Sequence, residues 1–489
     1  MKHPYIFMIL ILLHAGVFAQ SPDPQSFGNT INIDDLTRHM EVLASDSLEG
    51  REAGKKGQKM AADYIKNEFE RMGLKPVVPV GPETSYFQDI GLYTNKLNTA
   101  QLKSKNLKMN HLEDMVCFTG DTEGKDQKLS LVYVGEGKAS DFENLDVKGK
   151  AVLVVGNSMD VITNTELAES LGAAAYIAVS TKNKAQFERQ LKMFRWMLSG
   201  SRMGLEEKQS NIPSFAIPPE AAVDILGIKS EKLADAEIGQ MSSIKFNIDR
   251  NSDRIPSENV LGFIEGTDKK DEVLVITAHY DHLGVKGEKI FKGADDNGSG
   301  TVALLEIAEA FAKAVEAGKR PRRSVLFMAL TAEEKGLLGS DYYTRHPIFP
   351  LENTVVNLNM DMVGHLDDDH RENARFVSVV GSDWLSTDLH KIHENANSTY
   401  VNLDLDYQYN SPSHPERFYY RSDQYNFAKH NIPVIFYTSG DHEDYHKASD
   451  TIENIKFDRI EGVAQLIFYT AWEIAFRDER LKVDRTPPK

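Results

Sequence analysis

From residue 256 to residue 476 the chain alternates short apolar runs with longer amphipathic stretches. VLGFIEG from Val260, VLVITAHY from Val273, SVLFMAL from Ser324, VVNLNMDMVG from Val355 and IPVIFYTSG from Ile432 read as strands. They are too continuously apolar for strands with one wet face, so both faces of their sheet must be covered. Helices are predicted between and after them, from Gly300 to Ala317 and from about Asp458 to Phe476. Strands alternating with helices predict an α/β fold, a mostly parallel mixed sheet flanked by helices. Upstream, Asp34 and Asp35 precede the apolar series Leu36, Met40 and Leu43, and Ala61, Ile65, Phe69 and Met72 share one face of a helix that stops at Gly73. From about 100 to 250 the texture changes to short β-rich runs such as Leu129 to Val134 and Ala151 to Val155. Within this region Phe187, Leu191, Phe194 and Leu198 predict one additional amphipathic helix.

The 489 residues suffice for two or three domains with real cores. With 56 basic against 73 acidic side chains the formal charge is −17, which argues against a nucleic-acid or anionic-membrane binder, since either needs a basic footprint. The opening MKHPYIFMILILLHAGVFAQ has the order of a secretory signal peptide, with cleavage expected after Ala19. The mature chain is therefore expected to be exported, periplasmic or secreted, without a transmembrane segment. Cys117 is the only cysteine, so no internal disulfide can form.

In α/β sheets ligands bind beyond the carboxyl ends of the strands, which makes the polar residues there the candidates for chemistry. Read in order, they are His279 and Asp281, Asp295 and Asp296 in GADDNGSG, Glu333 and Glu334, Asp361, and His446 in DYHKASD. Two histidines and six carboxylates on one rim cannot remain together without cations. Imidazole and carboxylate without thiolate suit zinc, with manganese or cobalt as alternatives. If one carboxylate bridges, two metals each take one histidine and one terminal carboxylate, and a carboxylate is still available to act as a base.

The strings AHYDHLG, GADDNGSG, TAEEKGLLGS, NLNMDMVG and DYHKASDT, in this order and spacing, resemble the secreted co-catalytic zinc exopeptidases, the bacterial leucyl aminopeptidase and aminopeptidase Y family. LASDSLEGREAGKKG resembles that family's N-terminal segment, and LVYVGEG, FENLDVKGKAVLV and GAAAYIAV resemble the protease-associated domain often inserted in it. Beyond the expected signal peptide over 1–19, the resemblance implies an N-terminal part of the peptidase domain over 20–100, an inserted β-rich protease-associated domain over 101–250 and the catalytic domain over 251–478; a tail over 479–489 follows, whose last residues, DRTPPK, are expected to fray. It further implies that Asp295 bridges two zinc ions, one held also by His279 and Asp361, the other by Glu334 and His446. Glu333 is implied as general base and Asp281 as the partner that orients His279, with a cis peptide between Asp295 and Asp296. RFYYRSDQYNF resembles the segment that carries a transition-state tyrosine, which implies Tyr419, or its neighbour Tyr420, as an oxyanion donor, although Gln424 stands where many relatives have histidine.

The expected activity is removal of N-terminal residues from peptides. A carboxypeptidase or dipeptidase is the alternative on the same metals, and arginines aimed at a substrate carboxylate, Arg417 or Arg421, would mark it. Glutaminyl cyclase uses one metal, and a receptor-like binding module would lack ligands; neither fits the full set of residues. His282, His365, His370, His414, His430 and His442 are read as loop or supporting residues, and Asp367 to Asp369 as a solvated loop.

Overall fold

The computed structural model describes residues 23–486 except for 106, 120–123, 157–159, 180, 199–201, 206–211, 230–231, 368 and 372. The expected signal peptide over 1–19 and Asp368 lie outside the described residues. Eight strands among the described residues form the sheet that the apolar runs predict. They are β1 (Phe87–Asp89), β2 (Glu258–Ile264), β3 (Lys269–His279), β4 (Arg323–Leu330), β5 (Thr354–Met360), β6 (Phe376–Val380), β7 (Asp404–Asp406) and β8 (Val434–Thr438). Their spatial order is β7-β6-β8-β5-β3-β4-β2-β1. The central pairings β4/β3, β3/β5 and β5/β8 are parallel, whereas β2/β4, β1/β2 and β6/β8 are antiparallel.

Side chains alternate between the two faces of this sheet. On β3, Leu274, Ile276 and Ala278 enter one apolar cluster while Val273 and Val275 enter another on the opposite face, so continuous hydrophobicity is what the position demands. The first cluster takes in side chains of the helices α1 (Ile33–Leu43), α2 (Lys56–Arg71), α3 (Gly300–Glu316) and α4 (Phe457–Phe476). Asn32 starts α1 by accepting from the Asp35 amide at 3.0 Å, and Asp34 and Asp35 occupy the positive end of the helix. Ala61, Ile65 and Phe69 of α2 are buried, and Gly73 turns the chain away with φ of 74°.

Among the described residues a second sheet of nine strands is built between Leu92 and Ile255, a wider span than 101–250 because the connecting strands are long. Leu92–Lys103 and Met241–Ile255 run antiparallel side by side, pairing Leu92 with Ile255, so the chain leaves and rejoins the first sheet at one place. The additional helix is present as Lys184–Leu198, with Phe187 and Leu191 buried and Phe194 edge-on to Phe118. The edge strand Arg202–Leu205 brings Met203 and Leu205 against Ala332, Leu338 and Tyr342 of the first domain. At the end of the described residues, where fraying is expected from Asp484, that residue and Arg485 are instead tied down. The Asp484 carboxylate accepts from the Thr387 amide at 2.9 Å, and Arg485 pairs with Asp383 at 2.7 Å. Among the described residues no helix is long and apolar enough to cross a membrane.

Candidate metal centre

The carboxyl ends of β3, β4 and β5 and the loop after β8 converge. His279 closes β3, and its Nε2 lies 3.2 Å from Asp361 Oδ1, 3.4 Å from Asp296 Oδ1 and 3.9 Å from Glu333 Oε2. His446 Nε2 lies 3.1 Å from Asp296 Oδ2 and 3.1 Å from Glu334 Oε2. Asp296 therefore presents one carboxylate oxygen to each histidine, and the remaining carboxylates flank it in pairs.

This geometry corrects the expectation for Asp295. Its Oδ1 accepts from the Gly364 amide at 2.6 Å and its Oδ2 lies 3.1 Å from His442 Nε2, so the side chain points away from both His279 and His446. The non-proline cis peptide is correspondingly Asp296–Asn297, one residue later than expected. The local fold explains the shift. Asp450 accepts from the amides of Asp295 at 2.8 Å and Asp296 at 3.1 Å. Asn297 ties the next turn to β5 by donating to the Met360 carbonyl at 2.9 Å. Gly293 has φ of 56°, and a Cβ there would lie 2.1 Å from the Asp296 carbonyl oxygen, so this tight loop requires glycine.

The other candidates fall on the same rim. Asp281 lies behind His279, with its carbonyl 3.2 Å and its carboxylate 3.7 Å from Nδ1, and it also accepts from the Glu333 amide at 3.1 Å. Ser422, to which no role was given from sequence, donates to Asp361 Oδ2 at 2.7 Å and leaves Oδ1 toward His279. Ala332, Met362 and His446 adopt positive φ, which puts strained backbone at three of the loops that aim the centre. His282, read as a loop residue, is fully buried; its Nδ1 lies 2.8 Å from Glu334 Oε1, yet neither atom makes a well-directed hydrogen bond among the described residues. Its signal in the sequence was its place as the third polar residue of AHYDH.

Tyr419 is a further correction. Its ring stacks on Trp384 with centroids 3.9 Å apart, and it is buried in the core layer on that side of the sheet. The cleft over the centre is lined instead by Phe418, Arg421 and Tyr445 beside Asp296, Glu333, Asp361 and His446. Arg421 is held by Asp441 through two hydrogen bonds of 3.0 and 3.1 Å, and Arg417 stacks on Tyr420. Asp367 is buried and accepts from the His370 amide at 2.8 Å, so it is a loop anchor rather than a solvated residue.

The electrostatics are those of a site made for cations. Burial and the neighbouring Glu334 push Asp296 up to about 6, and burial together with Asp361 and Asp423 holds Glu333 well above the ordinary carboxyl range. Burial opposes charge on His446, but Asp296 and Glu334 outweigh it and raise the imidazolium to about 10. Hard oxygen donors and imidazoles with unsatisfied buried atoms at Glu334 and His282 fit zinc, and the groups His279, Asp296, Asp361 and His282, Asp296, Glu334 each bring three donor atoms close together. Another grouping, His365, His442 and Asp444, is different: Ser449 and Asn454 already occupy the Asp444 carboxylate, and the Asp444 amide occupies His442 Nδ1.

Arg51, from the N-terminal segment, fastens this rim. Fully buried, it donates to the carbonyls of Tyr280 at 2.7 Å, Leu43 and Lys292 at 2.6 Å and Gly293 at 2.8 Å, on both sides of the site. Arg51→Met would leave these acceptors dry and unpaired, and the expected loss of stability is on the order of 3–5 kcal/mol, read from urea unfolding of the metal-free protein. A loss below about 1 kcal/mol would show that water replaces the guanidinium.

Residues 259–471 match the model of peptidase family M28. The chain is 27% identical over 383 residues to an aminopeptidase of Bacillus subtilis (strain 168), covering 74% of this chain and 70% of that one. It is 26% identical over 294 residues to a glutamate carboxypeptidase 2 homolog of Caenorhabditis briggsae, covering 48% and 37%. Among solved structures, an aminopeptidase from Aneurinibacillus sp. strain AM-1 superposes with a TM-score of 0.54 at 19% identity, covering 96% of this chain and all of that one, which is a likeness of fold.

Proposed function

We propose that this chain, whose residues 259–471 match the model of peptidase family M28, is an exported zinc aminopeptidase that hydrolyses N-terminal residues from peptides. The observation that carries this reading is Asp296, with one oxygen toward His279 and the other toward His446. Asp296, His279 and Asp361 would hold one zinc, and Asp296, Glu334 and His446 the other, with His282 supporting Glu334. When bound, the metals supply positive charge that lowers the pKa of water and polarises the scissile carbonyl. Glu333 removes the proton from the attacking water and returns it to the departing amine. Asp281 fixes both the His279 ring and the Glu333 backbone, so ligand and base are positioned together.

Export rests on the N-terminal segment alone. The carboxypeptidase alternative needs a guanidinium available to a substrate carboxylate. Arg421 lines the cleft, but its bidentate pairing with Asp441 supports the aminopeptidase reading instead. The edge strand at Met203 and Leu205 packs beside the loop that carries Glu333, which supports a role for the inserted sheet in limiting substrate size.

The test is hydrolysis of aminoacyl chromogenic amides and their N-acetylated counterparts before chelation, after it, and after zinc is returned. Cleavage confined to free-amine substrates, abolished by chelator and restored by zinc, is the expected result. Equal cleavage of acetylated substrates, or activity only on peptides with a free C-terminus, would overturn the assignment.

A further inference from the structure

The two halves of the centre are not built alike. Beside His279 Nε2, among the described residues, stand Asp296 Oδ1 at 3.4 Å and Asp361 Oδ1 at 3.2 Å, and Ser422 occupies the other Asp361 oxygen at 2.7 Å. That half offers three donors. The other half holds two imidazoles. His446 Nε2 lies 3.1 Å from Asp296 Oδ2 and 3.1 Å from Glu334 Oε2, while His282 Nδ1 lies 3.7 Å from the same Asp296 oxygen and 2.8 Å from Glu334 Oε1. Donors that share one tetrahedral zinc stand about 3.3 Å apart, which follows from zinc distances of about 2.0–2.1 Å. Four side chains therefore reach the spacing of a complete shell around one ion.

The contact between His282 and Glu334 has a further property. Nδ1 and Oε1 are both buried and close, yet neither makes a directed hydrogen bond, and Nε2 has no partner either among the described residues. A plain ion pair would line the N–H up with the carboxylate oxygen. Two donors that face a common third atom have no reason to. The ring is also held in place. The His282 amide donates to the Arg51 carbonyl at 3.3 Å, and a Cβ on Gly293 would lie 2.4 Å from the ring carbon Cγ, so the glycine makes room for the imidazole. Arg51 in turn donates to the Gly293 carbonyl at 2.8 Å, which fixes both sides of the ring's seat.

We propose that His282 goes beyond supporting Glu334 and is itself a zinc ligand, through Nδ1, at the position of Asp296, Glu334 and His446; this rests on the two-zinc reading above. That position is then closed by four protein donors. The His279 position, with three, is the one left open to water or substrate. Closed four-donor shells are the form of zinc sites that hold an ion for structure, and three-donor shells the form of those that do chemistry. The two ions are accordingly unequal, one a fixture of the loops and the other exchangeable.

The test is calorimetric zinc titration of the metal-free full chain and of His282→Asn, together with a crystal structure of the zinc-loaded wild type. Asparagine keeps an N–H near the place of Nδ1 and can go on supporting Glu334, but its amide is a poor donor to zinc. The wild type is expected to bind two ions of unequal affinity. His282→Asn should weaken the tighter one by more than about 100-fold, beyond the roughly 10- to 100-fold that the loss of a supporting contact costs, and leave the weaker one as it was. In the crystal, His282 Nδ1 should lie about 2.0–2.1 Å from a zinc. A loss within the supporting range, or none, overturns the proposal. So does a crystal in which Nδ1 stays out of bonding reach of both ions, a readout that holds even if the variant fails to fold. A wild-type chain that takes up fewer than two zinc ions overturns the two-zinc reading itself, and that result comes before any variant is made.

Discussion

Glu333→Gln is expected to keep its metals and to lose hydrolysis by about 10²- to 10⁴-fold in kcat, the range for a displaced general base. Glutamine matches the shape of glutamate and leaves the Glu333 amide free to donate to Asp281 as before. What it removes is the ability to take a proton. Glu333 stands 3.9 Å from His279 Nε2, farther than Asp361 or Asp296, which suits a group beside the metals rather than on them. Burial also raises its proton affinity, and that is a useful property in a base that must later give the proton to the departing amine. Metal content by elemental analysis and kcat on a free-amine amide decide the matter together. Loss of zinc in step with activity would make Glu333 a ligand, and a kcat within about tenfold of wild type would remove it from the proton transfer.

The second large effect separates two neighbouring aspartates. Asp296→Asn should reduce the metal content by at least one zinc per chain and lower hydrolysis by more than about 10³-fold, because one carboxylate serves both histidines and an amide cannot offer two anionic oxygens. Asp295→Asn should keep both metals, with affinity reduced by about 10- to 100-fold, the usual cost of disturbing a supporting contact. Its carboxylate acts on the Gly364 amide and His442, and so shapes the loop around the centre without facing it. Metal titration of the two variants, followed calorimetrically, gives the answer. If Asp295→Asn empties the site and Asp296→Asn does not, the bridging position has been assigned to the wrong residue.

Much of the architecture was legible because it depends on local periodicity. The runs at Val273, Ser324 and Val355 are apolar on successive residues, and a strand buried on both faces by helices is the arrangement that accommodates this. The boundaries of the inserted sheet were less legible. Leu92–Lys103 and Met241–Ile255 are long paired strands with many polar residues, and their hydrophobic pattern does not mark where one sheet ends. The ties of Asp484 and Arg485 were illegible for a related reason, since their partners, Thr387 and Asp383, lie about a hundred positions away in the chain.

The sequence by itself determined the layer order of the catalytic domain and the kinds of side chain gathered on its rim, because strand ends in a parallel sheet converge whatever the loops do. Tertiary structure decided which of Asp295 and Asp296 faces the centre, that His282 joins it, and that Tyr445 rather than Tyr419 lines the cleft. Adjacent residues of the same type carry no local signal that distinguishes them. The choice is made by Asp450, 155 positions from Asp295, by Gly364, 69 positions from it, and by Trp384 beneath Tyr419, contacts that exist only once the sheet has brought distant loops together.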